Sequence, residues 1–491
     1  MKFLSTREKN QNFVNSAEAI KEGLAPDGGL YLPESIPSLS IDEICALADI
    51  PYSDRAAKIL SLFLTDYDKE LLTADCRDAY SEERFPGGPA PLYSLPDGTE
   101  VLELWHGPTC AFKDMALQIM PKLLSRALTI TGEKRKALIL VATSGDTGKA
   151  ALEGYRDVDG TGILVFYPVD GVSKVQKLQM QTQAGENVSV CAIRGNFDDA
   201  QNGVKQIFAD EKTAAELNAK GIFLSSANSI NFGRLAPQIV YYISAYADMV
   251  KKSAIKAGDK INVCVPTGNF GNIFAAYIAK EMGLPIDRLI CASNSNNILT
   301  DFIETGVYDR NRKFHTTISP SMDILISSNL ERLLSLICGP EKTAAYMKDL
   351  KETGKYSVSS SELAKIKESF SGYFCSEEET AEVIKTTYEK DGYLIDTHTA
   401  VGLGCAKKYA SETGDNTKML LASTASPYKF SQDVLASLGL AVPADGLDAL
   451  NILSENTNTV IPRPLAELRG KAVRFDTTVD REEMTRVVLS F

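Results

Sequence analysis

The stretch "KALILVATSGDTGKAALEGY", residues 136–155, decides the fold. Ala137 to Ala142 form an apolar run of strand length, Thr143 to Thr147 are turn formers, and Ala150, Ala151, Leu152 and Tyr155 fall at helical spacing. The segment reads as strand, loop and helix. Residues 261–283, "INVCVPTGNFGNIFAAYIAKEMG", repeat the unit: a strand from Ile261 to Val265, a Gly/Asn loop, then a helix bearing Ile273, Phe274, Tyr277 and Ile278 that Gly283 closes. "GILVFYPVD" (162–170) and "KMLLASTASPYKF" (418–430) supply two more strand-like runs ending in polar loops. Such alternation implies an α/β fold with parallel sheet, whose ligands lie outside the C-terminal ends of the strands.

Outward from this core the pattern changes. Residues 1–95 carry helical periodicity in "IDEICALADI" and "DRAAKILSLFL", punctuated by "APDGGLYLPESIPS" and "ERFPGGPAPLYSLPDG", the second marking a domain boundary. "VLELWHGPTC" reads as one more strand. The stretch from "SVSSSELAKIKESF" to "KTTYEKDGYLID" reads as helical and polar, without chemistry of its own. A chain of 491 residues exceeds what one core fills, so two or three domains are expected.

A net charge of −12 and the lack of any Lys/Arg block argue against a nucleic-acid surface, so an anionic ligand must be held locally. Nine scattered cysteines without a C-x-x-C pair suit a reducing cytoplasm. The opening "MKFLSTREKNQNF" lacks signal-peptide architecture, and no apolar run approaches bilayer-spanning length. The expectation is a cytoplasmic protein with neither membrane nor nucleic-acid partner.

The loops hold the candidate chemistry. In "WHGPTCAFKDMALQ" (105–118), Lys113 stands between Phe112 and Asp114 as a helical pattern begins. It is either a first-turn residue whose ammonium reaches solvent, or an amine whose pKa an apolar pocket and a helix N-terminus lower, making it a nucleophile suited to a Schiff base. Gly268, Asn269, Phe270, Gly271 and Asn272 lie between strand and helix, where backbone N–H groups could cradle a phosphate or simply form a tight turn. "SGDTGKA" is not a Walker loop, because Thr143 and Ala150 occupy positions that require Gly and Ser/Thr, and no G-x-G-x-x-G follows either strand. What remains there is Thr143, Ser144 and Thr147, able to bind a carboxylate at a helix start or to cap it. "SSANSINFGRLAPQ" (225–238) groups Asn228, Ser229, Asn231 and Arg234, a set suited to an oxyanion. His106, His315 and His398 have no metal-binding spacing, and no G-x-S-x-G elbow occurs, so neither a metal site nor that serine nucleophile is expected.

Taken together, "HGPTCAFKD", "ATSGDTG", "SANSINFGRL", "PTGNFGN" and "SMDILISSNLERLL" follow the order and approximate spacing of the threonine synthases. The likeness begins with "NSAEAIKEGLAPDGGLYLPESIP", which resembles the N-terminal domain of the longer members, and runs to "STASPYKF". It implies a fold type II, tryptophan synthase β-like architecture with two parallel-sheet lobes and a smaller N-terminal domain. The implied division is 1–95 for that domain and 96–491 for the catalytic region, with a small lobe at 120–245 and a large lobe at 96–119 and 246–491.

The resemblance further implies that pyridoxal phosphate is the cofactor, that Lys113 forms its Schiff base, that Gly268 to Asn272 hold its phosphate, and that Thr424 faces its pyridine nitrogen. The substrate carboxylate would lie on Thr143, Ser144 and Thr147, and its phosphate on Asn228, Ser229 and Arg234. Asp146 occupies a place where the wider fold often has Asn near the phenolic oxygen, so it either turns away or shares a proton. Ser426 stands where the family often has His. The implied reaction converts O-phospho-L-homoserine and water into L-threonine and phosphate, with Lys113 as the proton-carrying amine, in a monomer or homodimer. The rivals are a related phospho-lyase or dehydratase giving a 2-oxoacid, and a catalytically silent phosphate-binding protein.

Overall fold

The computed structural model describes residues 1–8, 12–143, 145–169 and 172–491. The chain opens with three strands, β1 (Lys2–Ser5), β2 (Val14–Asn15) and β3 (Tyr31–Pro33), in an antiparallel sheet of order β2-β1-β3. The helix Ile41–Ala46 starts at a capping box, in which the Ser40 hydroxyl accepts from Glu43 N–H and the Glu43 carboxylate accepts from Ser40 N–H. Helix Tyr52–Phe63, which matches the periodicity of "DRAAKILSLFL", and helix Lys69–Ala79, which the sequence reading did not identify, follow. Arg55 fixes the first of them to the body of the protein through a 2.8 Å ion pair with Asp248.

Two larger sheets follow. β4 (Leu92–Ser94) and β5 (Glu100–Glu103) begin one of them. β6 (Lys136–Ala142), β7 (Thr161–Pro168), β8 (Val188–Ile193) and β9 (Ile222–Ser225) build the other. β10 (Ile261–Pro266) and β11 (Ile286–Ser293) return to the first. After a small antiparallel pair, β12 (Val307–Asp309) and β13 (Lys355–Ser357), strands β14 (Phe370–Phe374) and β15 (Lys418–Ser423) complete it in the order β14-β11-β10-β15-β5-β4. Every neighbour pair in that sheet is parallel except the edge pair β4 and β5. β7 is buried along its whole length and β10 likewise, which is why both read as continuous apolar runs rather than alternating ones.

Two details depart from the expected organisation. The polar stretch taken as helical from 357 to 396 contains β14 between helices Ser360–Ser369 and Glu377–Asp391. Its residues "FSGYF" have aromatics at Phe370, Tyr373 and Phe374 with Gly372 at the centre and pair only with β11 among the described residues, so register with a neighbour, not local pattern, makes them a strand. The last strand, β16 (Thr478–Val479), leaves the lobe expected for 246–491 and pairs parallel with β8, giving the second sheet the order β16-β8-β7-β6-β9. Met484 and Val488 of the terminal helix then pack with Ala200, Val204 and Ile207 over that sheet. Among the described residues no helix is long and apolar enough to cross a membrane.

The helix Phe232–Lys251 lies at the centre, buried on nearly every face. Asn231 starts it by accepting from Gly233 N–H at 2.8 Å and donates to Ile20 O at 2.8 Å, which joins it to the N-terminal domain. Asn231, grouped with the oxyanion cluster from its neighbours in sequence, is therefore a structural cap.

Candidate active site

Every candidate loop leaves the C-terminal end of a parallel strand. Lys113 follows β5, Thr143 follows β6, Asn228 and Ser229 follow β9, Gly268 to Asn272 follow β10, and Thr424 follows β15. Strand polarity thus gathers groups that are more than 300 residues apart in the sequence.

The loop carrying Lys113 is held from both sides. Phe112 N–H donates to Thr424 O at 2.8 Å, Ser426 N–H donates to Cys110 O at 3.1 Å, and Ala111 bridges Ala425. Asp114 closes the turn from within, accepting from Thr109 N–H at 2.8 Å and from the Thr109 hydroxyl at 2.7 Å. Lys113 caps the short helix Asp114–Leu117, with its side chain 11% exposed and its Nζ 3.5 Å from Ser321 Oγ and 3.7 Å from Asp146 Oδ2. Burial lowers the pKa of its amine; Asp146 opposes that change, and the charges of Lys429 and Arg234 reinforce it. The solvent-reaching reading of Lys113 therefore fails on position.

Asp146 points toward Lys113 and Lys429. Its Oδ1 lies 2.7 Å from Lys429 Nζ and 3.0 Å from Gln176 Nε2, while Oδ2 faces Lys113 and accepts from Ser321 Oγ at 3.3 Å. Burial alone would raise the carboxyl pKa, but the ammonium groups of Lys429 and Lys113 overcome it and hold the carboxyl well below the usual range. Ser321 is placed in turn by His398, whose Nε2 accepts from Ser321 N–H at 3.1 Å and whose Nδ1 meets Asp396 Oδ2 at 2.9 Å. With Nε2 accepting, the ring proton belongs on Nδ1 toward Asp396.

The loop after β10 has the form of an anion cradle. Gly271, Asn272 and Ile273 begin the helix Gly271–Glu281, so their N–H groups have no intrahelical acceptors. A side chain on Gly268 would bring Cβ to 2.8 Å from Ser321 O, and one on Gly271 to 3.2 Å from Asn329 Nδ2. Phe270 takes φ 63°, a left-handed conformation that turns the chain into the helix. Ser327 Oγ donates to Gly268 O at 2.7 Å and Asn329 N–H to Asn269 O at 3.0 Å. Asn272 is held by the Tyr241 and Tyr242 hydroxyls on its Oδ1, and its buried Nδ2 has no partner.

A second anion position centres on Arg234, 3% exposed and without a carboxylate partner among the described residues. One nitrogen donates to Ala227 O, and its Nε is buried and unpaired. Burial pulls its pKa down to about 10. An uncompensated buried guanidinium is costly, so the arrangement fits a site completed by an incoming anion. Ser229 Oγ accepts from Asn329 Nδ2 at 3.3 Å, and Asn228 is exposed, its side-chain amide without a hydrogen bond among the described residues.

The carboxylate loop is less complete. Thr143 Oγ1 accepts from Gly145 N–H at 3.0 Å and Gly148 N–H at 2.9 Å, so it caps the helix Asp146–Tyr155 and keeps only its hydroxyl proton to offer. Thr147 is half-buried, and Ser144 lies outside the described residues. Thr424 is 5% exposed, and its hydroxyl makes no hydrogen bond among the described residues. Ser426 instead caps the turn Pro427–Phe430, accepting from Tyr428 N–H at 3.3 Å.

Sequence reading missed Ser321, Lys429 and Arg332. Ser321 and Arg332 belong to "SMDILISSNLERLL", which carried the resemblance without a role for any residue. Arg332 is fully buried and donates to Tyr31 O at 3.0 Å, to Ser229 O at 3.4 Å, to Ile230 O and to Asn329 Oδ1. Lys429 gave one sequence signal, a lone lysine in the apolar end of "STASPYKF".

Pyridoxal phosphate presents an aldehyde, a phosphate and a ring nitrogen, and the site has a counterpart for each: a buried amine, a glycine-lined helix N-terminus and an unpaired hydroxyl at Thr424. The family comparisons agree with that fit. Residues 2–80 match the model for the threonine synthase N terminus, 85–424 that for pyridoxal-phosphate dependent enzymes, and 399–488 that for the threonine synthase C-terminal region. The chain is 38% identical to threonine synthase of Pseudomonas aeruginosa over 482 residues, covering 96% of this chain and 97% of that one. It is 41% identical to human threonine synthase-like 1, covering 89% of this chain and 60% of that longer protein. A pyridoxal-phosphate-bound threonine synthase from Brucella melitensis superposes with TM-score 0.88 at 37% identity, covering 100% of this chain and 99% of that one. The yeast threonine synthase structure does so with TM-score 0.88 at 32% identity, covering 100% and 98%. Matching along nearly its whole length and in its fold, the chain belongs to the pyridoxal-phosphate-dependent threonine synthase family.

Proposed function

We propose that this protein is a threonine synthase, converting O-phospho-L-homoserine and water into L-threonine and phosphate. The observation that carries the reading is Arg234, a buried cation with no acidic partner among the described residues, set near the Lys113 amine and separate from the glycine cradle. One anion position serves the cofactor phosphate and the other a phosphorylated substrate, as the reaction requires. In this reading residues 1–95 are the N-terminal domain, and 120–245 supply most of the small lobe against which 96–119 and 246–491 close. The protein acts in the cytoplasm as a monomer or homodimer.

Bound pyridoxal phosphate supplies the aldehyde that captures an amine and the ring that accepts electrons from Cα. Lys113 would be the residue that holds the cofactor through its amine and, once freed, would take the Cα proton and return protons to the carbon chain. Arg234 and Ser229 hold the phosphate as it leaves Cγ. Thr147, with the hydroxyl proton of Thr143 and the helix N-terminus behind them, orients the substrate carboxylate. Thr424 offers a neutral hydroxyl to the ring nitrogen, which leaves that nitrogen uncharged.

The test is to incubate the cofactor-loaded protein with O-phosphohomoserine and measure threonine and phosphate together. Equal amounts support the reading. Phosphate with 2-oxobutyrate and no threonine replaces it with the phospho-lyase, and an absent cofactor spectrum with the silent phosphate binder. Lys113→Ala should lose the visible absorbance of the lysine-bound cofactor and turnover together.

A further inference from the structure

The reading just given leaves Lys429 without a task, yet its side chain is 0% exposed and lies within the constellation that surrounds Lys113. Among the described residues it makes two polar contacts: its Nζ is 2.7 Å from Asp146 Oδ1 and donates at 3.0 Å to Thr109 O, in the turn that Asp114 closes just before Lys113. A lysine with no access to solvent is rarely tolerated unless paired, and here the pair is with the one carboxylate that also faces the reactive amine. The other oxygen of Asp146 is 3.7 Å from Lys113 Nζ, a longer separation than the 2.7 Å to Lys429.

We propose that Lys429 is a positioning residue for Lys113: by holding the Asp146 carboxylate in a close ion pair, it prevents that carboxylate from fixing Lys113 as an ammonium ion. The amine then meets the cofactor aldehyde unprotonated, as imine formation requires. The charged groups around Lys113 are Asp146, Lys429, Arg234 and Asp114. Arg234 and Lys429 are cationic and Asp146 anionic, so removing Lys429 leaves Asp146 to pair with Lys113 alone, while removing the Asp146 charge leaves Lys113 facing cations. The two changes therefore act on the amine in opposite directions. A purely structural role for the pair would not produce that opposition.

This inference rests on Lys113 being the cofactor-binding lysine. The experiment uses the full chain stripped of pyridoxal phosphate and reloaded with it across a pH series. The rise of the visible band, and reductive trapping at Lys113, give the pH at which capture is half-maximal. Lys429→Met should move that midpoint up by about one pH unit, Asp146→Asn should move it down by a similar amount, and the double variant should return close to the parent value. Lys429→Arg, which keeps the charge, should move it least. Unchanged midpoints in both single variants, or shifts in the same direction, would overturn the proposal. If Lys429→Met does not fold, the double variant, which has no unpaired buried charge, still compares with Asp146→Asn; identical midpoints in those two overturn it equally. Loading and trapping that persist in Lys113→Ala would instead refute the assignment of Lys113.

Discussion

Replacing Arg234 with Met should separate stability from activity. Burial lowers the guanidinium pKa from its ordinary value to about 10. A depression of that size corresponds to about 3 kcal/mol by which the folded state disfavours the charged form. From about pH 10 up to the ordinary guanidinium pKa the unfolded chain keeps a proton that the folded chain has lost, so stability from this group rises with pH there. Below pH 10 both states are charged, and the whole penalty applies at working pH. Arg234→Met removes it, while orphaning Ala227 O costs back about 1–2 kcal/mol. The variant should therefore be as stable as the parent, or more stable by about 1–2 kcal/mol, in urea unfolding. Its kcat/KM for O-phosphohomoserine should fall by roughly 30-fold or more, since truncating one partner of a buried charged contact costs about 2–5 kcal/mol. With the cradle filled by cofactor, inorganic phosphate at ten times its Kd should stabilise the parent by about 1.4 kcal/mol and leave the variant unmoved. A variant destabilised by more than about 2 kcal/mol, with unaltered use of the phosphorylated substrate, would make Arg234 a structural cation and refute the reasoning.

Gly268→Ala should weaken pyridoxal phosphate binding by about tenfold or more, because its Cβ would stand 2.8 Å from Ser321 O and the cradle must shift, at about 1–3 kcal/mol; an unchanged absorbance titration would refute this. Arg332→Lys keeps the charge but loses the fork that reaches Tyr31 O, Ser229 O and Ile230 O, so KM should rise by about tenfold with a smaller change in kcat. The reverse split in steady-state kinetics would argue against a role in shaping the phosphate loop. Glu331→Gln breaks the two 2.7 Å contacts with Arg7 that tie β1 to the same segment, and hydrogen exchange in residues 2–5 should quicken without loss of bound cofactor; unchanged exchange would assign the tie elsewhere.

Much of the architecture was open to reading because it depends on local pattern. The apolar runs at β6, β7, β10 and β15 are strands buried by their neighbours, and the Gly/Asn loop after β10 must be a loop whichever sheet it serves. Lys113 was conspicuous for a similar reason, a cation between Phe112 and the start of a helix. β14 was hidden, since "FSGYF" becomes a strand only through its pairing with β11. β16 was hidden too, because two residues carry no periodicity and their partner β8 lies almost 300 positions earlier.

Roles at the site divide along the same line. The sequence by itself determined the strand, loop and helix units, the glycines of the cradle, and the motif set that places the chain among its relatives, because these are written in residues adjacent to one another. Only the tertiary structure decided that Asn231 and Thr143 cap helices, that Arg234 has no acidic partner among the described residues, and that Lys429 pairs with Asp146 beside Lys113. Charge compensation depends on distances of a few ångströms between segments hundreds of residues apart, and burial determines its strength. Neither quantity exists in a linear sequence until the sheets bring their C-terminal loops together.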